Sequence, residues 1–337
     1  MKISFKLLLV IVLLAGWVCE LPAQTVSCKG SKCQSSRGAL SVIPIDPVTN
    51  GMGGTQSGQM GDPMMMFTNP AVLTGPWGWN SALSRSDWMA GISRYGAGLT
   101  FGLSEKQTIG ISLAILHYGK FTAYNPEDSS NPWEVRYGNR EIGIGYAYRP
   151  VSWLSLGTRL WSSQDVQNGD LPAQYNLDIL PVNSDYYLYT DLGMILEPER
   201  LPLEFGAAIR SIPLYSGYGP LFYHQKELDL GLAVDVFSLV SEQFDPQWLQ
   251  LRVAYDWIKP QDRDSRQNLG LEATVANRLF LRAGRRFGHD LQKYTAGLGL
   301  NIPVGSVRLR MDYTYLDMEV FDDIHLFSLG IGMPKSL

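Results

Sequence analysis

Four histidines and three cysteines carry most of the sequence's capacity for nucleophilic or metal chemistry. His117, His224, His289 and His325 are scattered, and none shares the spacing of zinc ligands, such as two His four apart on a helix. His289-Asp290 follows Arg285-Arg286 in a stretch that reads as a solvated turn, and His325 lies at the mouth of the last apolar segment. No G-x-S-x-G elbow and no phosphate-binding loop is present. A Ser/His pair assembled from distant strands would leave no such signature and stays open. The expectation is a protein that is not an enzyme, with no cofactor and no metal. Cys28 and Cys33, with four residues between them in a Lys/Ser/Gly-rich segment, suit a metal pair poorly because no second ligand pair follows. In an oxidising compartment they could instead form a disulfide closing a small loop.

Charged residues offer a different lead, because they recur on one parity. In Leu249–Trp257 the residues Leu249, Leu251, Val253, Tyr255 and Trp257 alternate with Gln250, Arg252, Ala254 and Asp256. In Val307–Tyr315 an apolar set alternates with Arg308, Arg310, Asp312 and Thr314. Leu228–Val236 and Tyr186–Met194 behave alike, with Asp229, Asp235 and Asp191 on the polar parity. Period-two alternation belongs to strands with one greasy and one wet face. Arg252, Asp256, Arg308, Arg310 and Asp312 should therefore share one side of a sheet. Inward charges of this kind either pair with each other or with a filling segment, or they line a polar path, and pairing is the favoured expectation.

Weaker alternation spans Leu99–Leu103, Ile109–Ile115, Ile142–Tyr148, Leu154–Leu160, Leu203–Ile209, Leu269–Val275, Leu279–Ala283, Ala296–Ile302 and Phe327–Met333. The total is about 13 segments, and the even strand number of bacterial barrels suggests about 14. A soluble β-sandwich would show the same alternation. Three features favour a transmembrane antiparallel β-barrel: an export signal, aromatic residues at strand ends (Tyr146, Tyr148, Tyr255, Trp257, Tyr313, Tyr315), and few amphipathic helices. Asn277-Arg278, Arg149-Pro150 and Pro303–Ser306 read as tight turns. Ala123–Glu134, Ser163–Ser184, Ser211–Glu227 and Gln261–Gln267 read as long loops on the opposite side.

The export signal is residues 1–23. Lys2 and Lys6 precede an apolar run, Leu7–Cys19, that is shorter than the roughly 20 residues of a membrane span. Leu21-Pro22-Ala23 offers a cleavage point after Ala23. Lipidation at Cys19 would want a small residue before it, where Trp17 and Val18 stand. No later stretch has the apolar length of a membrane helix, so a membrane-embedded mature chain must close as a barrel. The net charge of −4 argues against nucleic acid as a partner. Residues 51–79 differ in kind, with many Gly and Met and little alternation. Glycines allow close backbone approach, Met64, Met65 and Met66 could fill irregular space, and Pro70 restricts Asn69 to extended backbone. The stretch reads as a plug inside the barrel, with a periplasmic tail as the other reading. The expected organisation is signal peptide 1–23, linker and plug 24–86, and barrel 87–337.

GMGG at 51–54, Asp62 and FTNPAVL at 67–73, followed by LRAG at 281–284, TAGLGL at 295–300, RLRMDYTY at 308–315 and HLFSLGIG at 325–332, carry a resemblance. The chain resembles the PorV/PorQ outer-membrane proteins and, more distantly, FadL-type transporters, over about a quarter of its length and at both ends. The resemblance implies a 14-stranded FadL-like barrel in the bacterial outer membrane, with Gly51, Gly53, Gly54, Asp62, Asn69, Pro70 and Ala71 as its plug motif. It also implies an accessory role in type IX-like protein secretion or surface attachment, with translocon or surface-anchored proteins as partners. The alternative it implies is a transporter of hydrophobic solutes, holding a hydrophobic ligand and bounded by outer-membrane lipid.

Overall fold

The computed structural model describes residues 43–56, 60–75, 78–123, 132–168, 186–199, 201–216, 226–240, 248–261, 264–289, 292–319 and 321–334. The export segment, Cys28, Cys33, His224 and parts of the four long connections lie outside them. Fourteen antiparallel strands close into a barrel. They are β1 Gly78–Asp87, β2 Ser93–Ser104, β3 Gln107–Ala123, β4 Trp133–Val151, β5 Leu154–Asn168, β6 Tyr186–Leu196 and β7 Leu203–Ser216. The circuit continues through β8 Glu227–Asp235, β9 Leu249–Pro260, β10 Arg266–Val275, β11 Leu279–Phe287, β12 Tyr294–Val304, β13 Val307–Leu316 and β14 Ile324–Pro334. Every strand pairs with its sequence neighbours, and β1 closes on β14 with Gly78 opposite Pro334 and Asp87 opposite His325. Closure leaves no strand edge unpaired.

Alternation sets the two faces. On β3, Ile109, Ile111, Leu113 and Ile115 point outward and are 36–46% exposed, while Thr108, Ser112, Ala114 and Leu116 point inward and are buried. The same holds on β4, where Ile142, Ile144 and Tyr146 face out and Glu141, Gly143, Gly145 and Ala147 face in. A continuous apolar exterior of this extent suits lipid and not water. Aromatic residues edge the band: Phe101, Tyr146 and Tyr148 toward one mouth, and Tyr95, Tyr255, Tyr294 and Phe327 toward the other. His325 belongs to the second edge, with its Nδ1 2.8 Å from the Tyr313 hydroxyl on the barrel exterior. Beyond that edge β3 and β4 project further, and exposed Lys120 and Arg136 pair with Glu134 at 3.1 and 2.6 Å.

The two mouths differ in their connections. At one, β2–β3 turns at Glu105-Lys106, β4–β5 at Ser152-Trp153, and β12–β13 at Gly305-Ser306. The β10–β11 turn places Ala276 and Asn277 both in left-handed backbone, at φ 51° and 54°, and Arg278 N–H donates to the Val275 carbonyl at 3.0 Å. One connection at this mouth is longer: a short helix, α2 (Val236–Val240), follows β8. The longer connections otherwise gather at the opposite mouth.

Three local readings change. Arg149-Pro150 is not a turn, because β4 runs on through a bulge between Tyr148 and Val151. β5 and β7 continue to Asn168 and Ser216, into stretches that read as loops from their polarity. β7 does so through two register shifts against β6, where Ser211 takes φ 57° and its N–H is held by the Asp191 carboxylate at 2.7 Å. Finally, the barrel starts at Gly78 and not at residue 87. β1 escapes notice because it is poor in apolar residues on both faces: Asn80, Ala82, Ser84 and Ser86 face in, and only Leu83 gives a large exposed apolar group between Ser81 and Arg85.

If the exterior is lipid-facing, Ile144→Arg, at a 64% exposed position on β4, should cost about 2–4 kcal/mol near the bilayer centre. Denaturant unfolding of vesicle-reconstituted protein measures it; a change near zero would mean that water covers this face.

Candidate functional site

Residues 43–56 and 60–75, before β1, lie inside the barrel and divide its bore. The plug enters at the long-connection mouth, where Arg94 Nη1 donates to the Ile43 carbonyl at 2.6 Å and Ile43 packs with Leu116 and Trp88. It leaves at the short-turn mouth, where the Thr74 hydroxyl lies 2.8 Å from that of Ser155. Between them the backbone makes three short helical pieces: α1 (Pro47–Gly51) and single 3₁₀ turns at Pro63–Phe67 and Pro70–Leu73. Each starts with the same two-residue device. Asp46, Asp62 and Asn69 sit in extended backbone, and each accepts backbone N–H groups of the following turn; a proline then occupies the first helical position. The side-chain oxygen satisfies donors that a short turn cannot, and proline has no N–H to satisfy.

Wall glycines receive the plug. A Cβ on Gly157 or Gly193 would overlap the backbone or side chain of Asn69-Pro70-Ala71, and one on Gly284 would overlap Gly53. Gly270 admits Met52, Gly98 admits Pro63, and Gly110 and Gly145 admit Met66. Asn69 is then fastened to the wall: its Nδ2 donates to Gln56 Oε1 at 3.2 Å and toward the Met194 and Ala207 carbonyls at 3.4 Å. Gly51, Gly53 and Gly54 press on β10–β12. Thr295 Oγ1 donates to Gly51 O and accepts from Gly53 N, both at 3.0 Å, and Asn268 Nδ2 donates to Gly54 O at 3.2 Å. Gly53 and Gly54, at φ 76° and 90°, form a turn that side chains rarely adopt.

The five charges singled out by parity have the following places. Arg310 bridges Asp62 of the plug at 3.1 Å and Asp312 at 2.7 Å, and Asp312 also accepts from Arg282 at 2.7 Å. Asp256 Oδ2 accepts the backbone N–H of Gln56 in the plug at 2.6 Å. Arg252 pairs with Glu204. Arg308 stands exposed at the short-turn mouth, lining a polar vestibule of about 470 Å³ with Arg252 and Glu272. Burial outweighs Arg310 at Asp62 and, with Asp46 and Asp312 adding repulsion, pushes its pKa up to about 6. Burial likewise raises Asp46, against the helix-capping N–H groups of Thr49 and Val48.

Of a second network, parity singles out only Asp191. Arg94, Glu141, Arg159 and Asp191 form an alternating row across β2, β4, β5 and β6, with N–O distances of 3.0, 3.7 and 3.4 Å in turn. The guanidinium of Arg159 also lies 4.4 Å from the ring centre of Phe67 in the plug. Arg159 already stands on the polar parity of Leu154–Leu160, and extending Ile142–Tyr148 and Leu154–Leu160 by one residue would have placed Glu141 and Trp161 inward as well. These side chains line a cavity of about 150 Å³ between the plug and the long-connection mouth. On the other side of the plug, a cavity of about 110 Å³ lies against Asp62, Arg308 and Arg310. The two share no lining residue, so the plug separates them. Among the described residues, no group of three or more His, Cys, Asp or Glu could hold a metal ion.

The fold and its plug define a class: a closed barrel with an internal N-terminal plug. Solved structures share the fold. The toluene transporter TodX of Pseudomonas putida matches at 14% identity and TM-score 0.54, covering 85% of this chain and 96% of its own. The monoaromatic hydrocarbon channel CymD matches at 13% and 0.55, covering 88% and 98%. A Pseudomonas aeruginosa FadL homologue matches at 11% and 0.52, covering 87% and 99%. No family model matches the chain, and no curated protein does. The PorV/PorQ resemblance therefore stands on its motifs alone.

Two outcomes test the seating of the plug. Gly193→Leu, which puts a side chain where Asn69 sits, should unseat the plug and raise single-barrel conductance in planar bilayers well above that of the parent. Arg310→Gln should loosen the plug more at about pH 8 than at about pH 5. Seating contributes most below the ordinary carboxylate pKa and weakens as pH rises through about 6. Without Arg310 the ionised Asp62 has lost its partner, whereas the protonated acid needs none. Equal conductance changes at both pH values would show that Asp62 does not hold the plug through this pair.

Proposed function

We propose that the protein is an outer-membrane conduit of the FadL type, passing small hydrophobic solutes inward with the plug as a movable hatch. The observation that carries this reading is the division of one continuous bore into two cavities by a single N-terminal segment. Such a barrel conducts only when that segment shifts. The likeness in fold to TodX, a toluene transporter, and to CymD, a monoaromatic hydrocarbon channel, supports the choice of solute class. The short-turn mouth would face the periplasm, lipid would cover the apolar band, and residues 1–23 would be removed on export. The working organisation is then a signal peptide, a plug at residues 43–75 and a barrel at 78–334, with no catalytic role assigned.

The secretion reading draws on GMGG, Asp62 and Asn69-Pro70-Ala71. All of these positions are accounted for by plug packing against the wall, which a transporter and a secretion accessory would need alike. Among the described residues, no contact favours that reading further.

The test is uptake of labelled toluene into proteoliposomes, set beside empty vesicles and vesicles holding protein with residues 43–75 removed. Uptake above empty vesicles, and faster still without the plug, supports the conduit. Parent and plugless protein both equal to empty vesicles would sink it, and a translocon component recovered with the purified protein would then revive the secretion role.

A further inference from the structure

The cavity on the long-connection side of the plug is uneven in charge. Most of its arginines face carboxylates: Arg94 lies 3.0 Å from Glu141, Arg159 lies between Glu141 and Asp191, and Arg210 lies 2.9 Å from Asp229. Arg286 does not. It projects inward from β11, is 7% exposed, and meets neutral acceptors. Nε donates to the Gly53 carbonyl at 2.9 Å, Nη1 to Gln292 Oε1 and Nη2 to Asn50 Oδ1. A second guanidinium, that of Arg266, lines the same cavity.

His289 reports the potential in this corner from outside the strands. Its Nε2 lies 3.2 Å from Asn268 Oδ1. Burial first, then the charges of Arg286 and Arg266, push its pKa down to about 3. No carboxylate contributes to that shift. The corner therefore holds positive charge taken out of water with no acid answering Arg286, an arrangement that costs free energy until an anion enters.

The rest of the cavity is shaped for something apolar. Phe67, Trp161, Ile45 and Ile258 line it beside the charged groups, and the space of about 150 Å³ is the size that holds one benzene ring. A neutral hydrocarbon would use the apolar lining but leave Arg286 uncompensated.

We propose that this cavity binds a compact organic anion, one ring or a short branched chain bearing a single carboxylate. The acid group takes Arg286 and the apolar part lies toward Ile258, the strand partner of Arg266. The inference rests on the conduit reading and narrows its solute. Three of the five guanidinium N–H groups are committed to neutral acceptors, so two remain. A carboxylate binds a guanidinium about twice as strongly as a neutral acceptor does. It therefore also competes with Asn50 and Gly53, both in the plug. Arrival of the anion weakens two ties between plug and wall, and so couples occupancy to hatch movement.

Calorimetric titration of the full-length protein in nonionic detergent tests the site, with benzoate, toluene and acetate as probes. Benzoate should bind at least about tenfold more tightly than toluene or acetate. Arg286→Gln should remove that advantage and leave toluene unchanged. Because Arg286 also ties the plug, Arg266→Gln serves as the second variant, and it should weaken benzoate severalfold while sparing toluene. Toluene binding as tightly as benzoate overturns the anion assignment and leaves the conduit standing. Acetate binding as tightly as benzoate overturns the apolar half of the site. Benzoate affinity unmoved by both substitutions overturns the role of the corner. If neither benzoate nor toluene binds, the site falls whatever the toluene flux into vesicles shows, and that flux alone then decides the conduit.

Discussion

Everything inside this barrel depends on how closely two backbones can approach. Inward-facing residues of a 14-stranded wall would ordinarily fill much of the bore with side chains, as small barrels do. Here the wall carries glycine where the plug must pass: Gly157 and Gly193 under Asn69-Pro70-Ala71, and Gly270 and Gly284 under Met52-Gly53. Removing the Cβ on the wall lets the plug lie directly on the strands. At Gly284 the plug residue is itself a glycine, so neither backbone holds the other away. The same contact puts plug polar groups within reach of wall hydroxyls and amides, which is how Thr295, Asn268 and Asp256 come to bond it.

Once the plug is seated, the lumen's electrostatics follow. Strand alternation sends the greasy parity outward, so nearly every charge that the strands carry at membrane depth must turn inward. Excluded from water by the plug, those charges pair around the wall: Arg94, Glu141, Arg159 and Asp191 on one side, Glu272, Arg282, Asp312 and Arg310 on the other. Asp62 extends the second row into the plug, making the hatch part of the barrel's charge balance. Buried pairs of this type add little net stability compared with apolar packing, but losing one partner is costly. They therefore hold the plug in one position better than they hold the barrel together.

The exception in this balance lies in a cavity of the bore that has an apolar lining beside its charges. Arg286 is held by the turn of the plug that includes Gly53 and by the Gln292 side chain beyond β11. The apolar residues that line the same cavity come from the plug (Ile45, Phe67) and from the wall (Trp161, Ile258). Neither the plug nor the wall makes this cavity alone, so any movement of the plug changes its shape and charge together.

The sequence by itself determined the barrel, its two faces and most of its strands, because period-two alternation is a local property that each strand displays within a few residues. Thirteen of the strands were legible in this way, and the inward parity of Arg252, Asp256, Arg310 and Asp312 came with them. β1 was not, since small, mostly polar residues face inward and the outward face mixes Trp79 and Leu83 with Ser81, Arg85 and Asp87, leaving no clear alternation to read. The plug's composition was visible in Gly51–Gly54 and in Asn69-Pro70, but its partners were not. Which wall glycine faces Asn69, and which arginine lacks an acid, depends on closing strands that lie over a hundred residues from the plug. Long-range register and the seating of backbone on backbone decide those contacts, and nothing local to either segment encodes them.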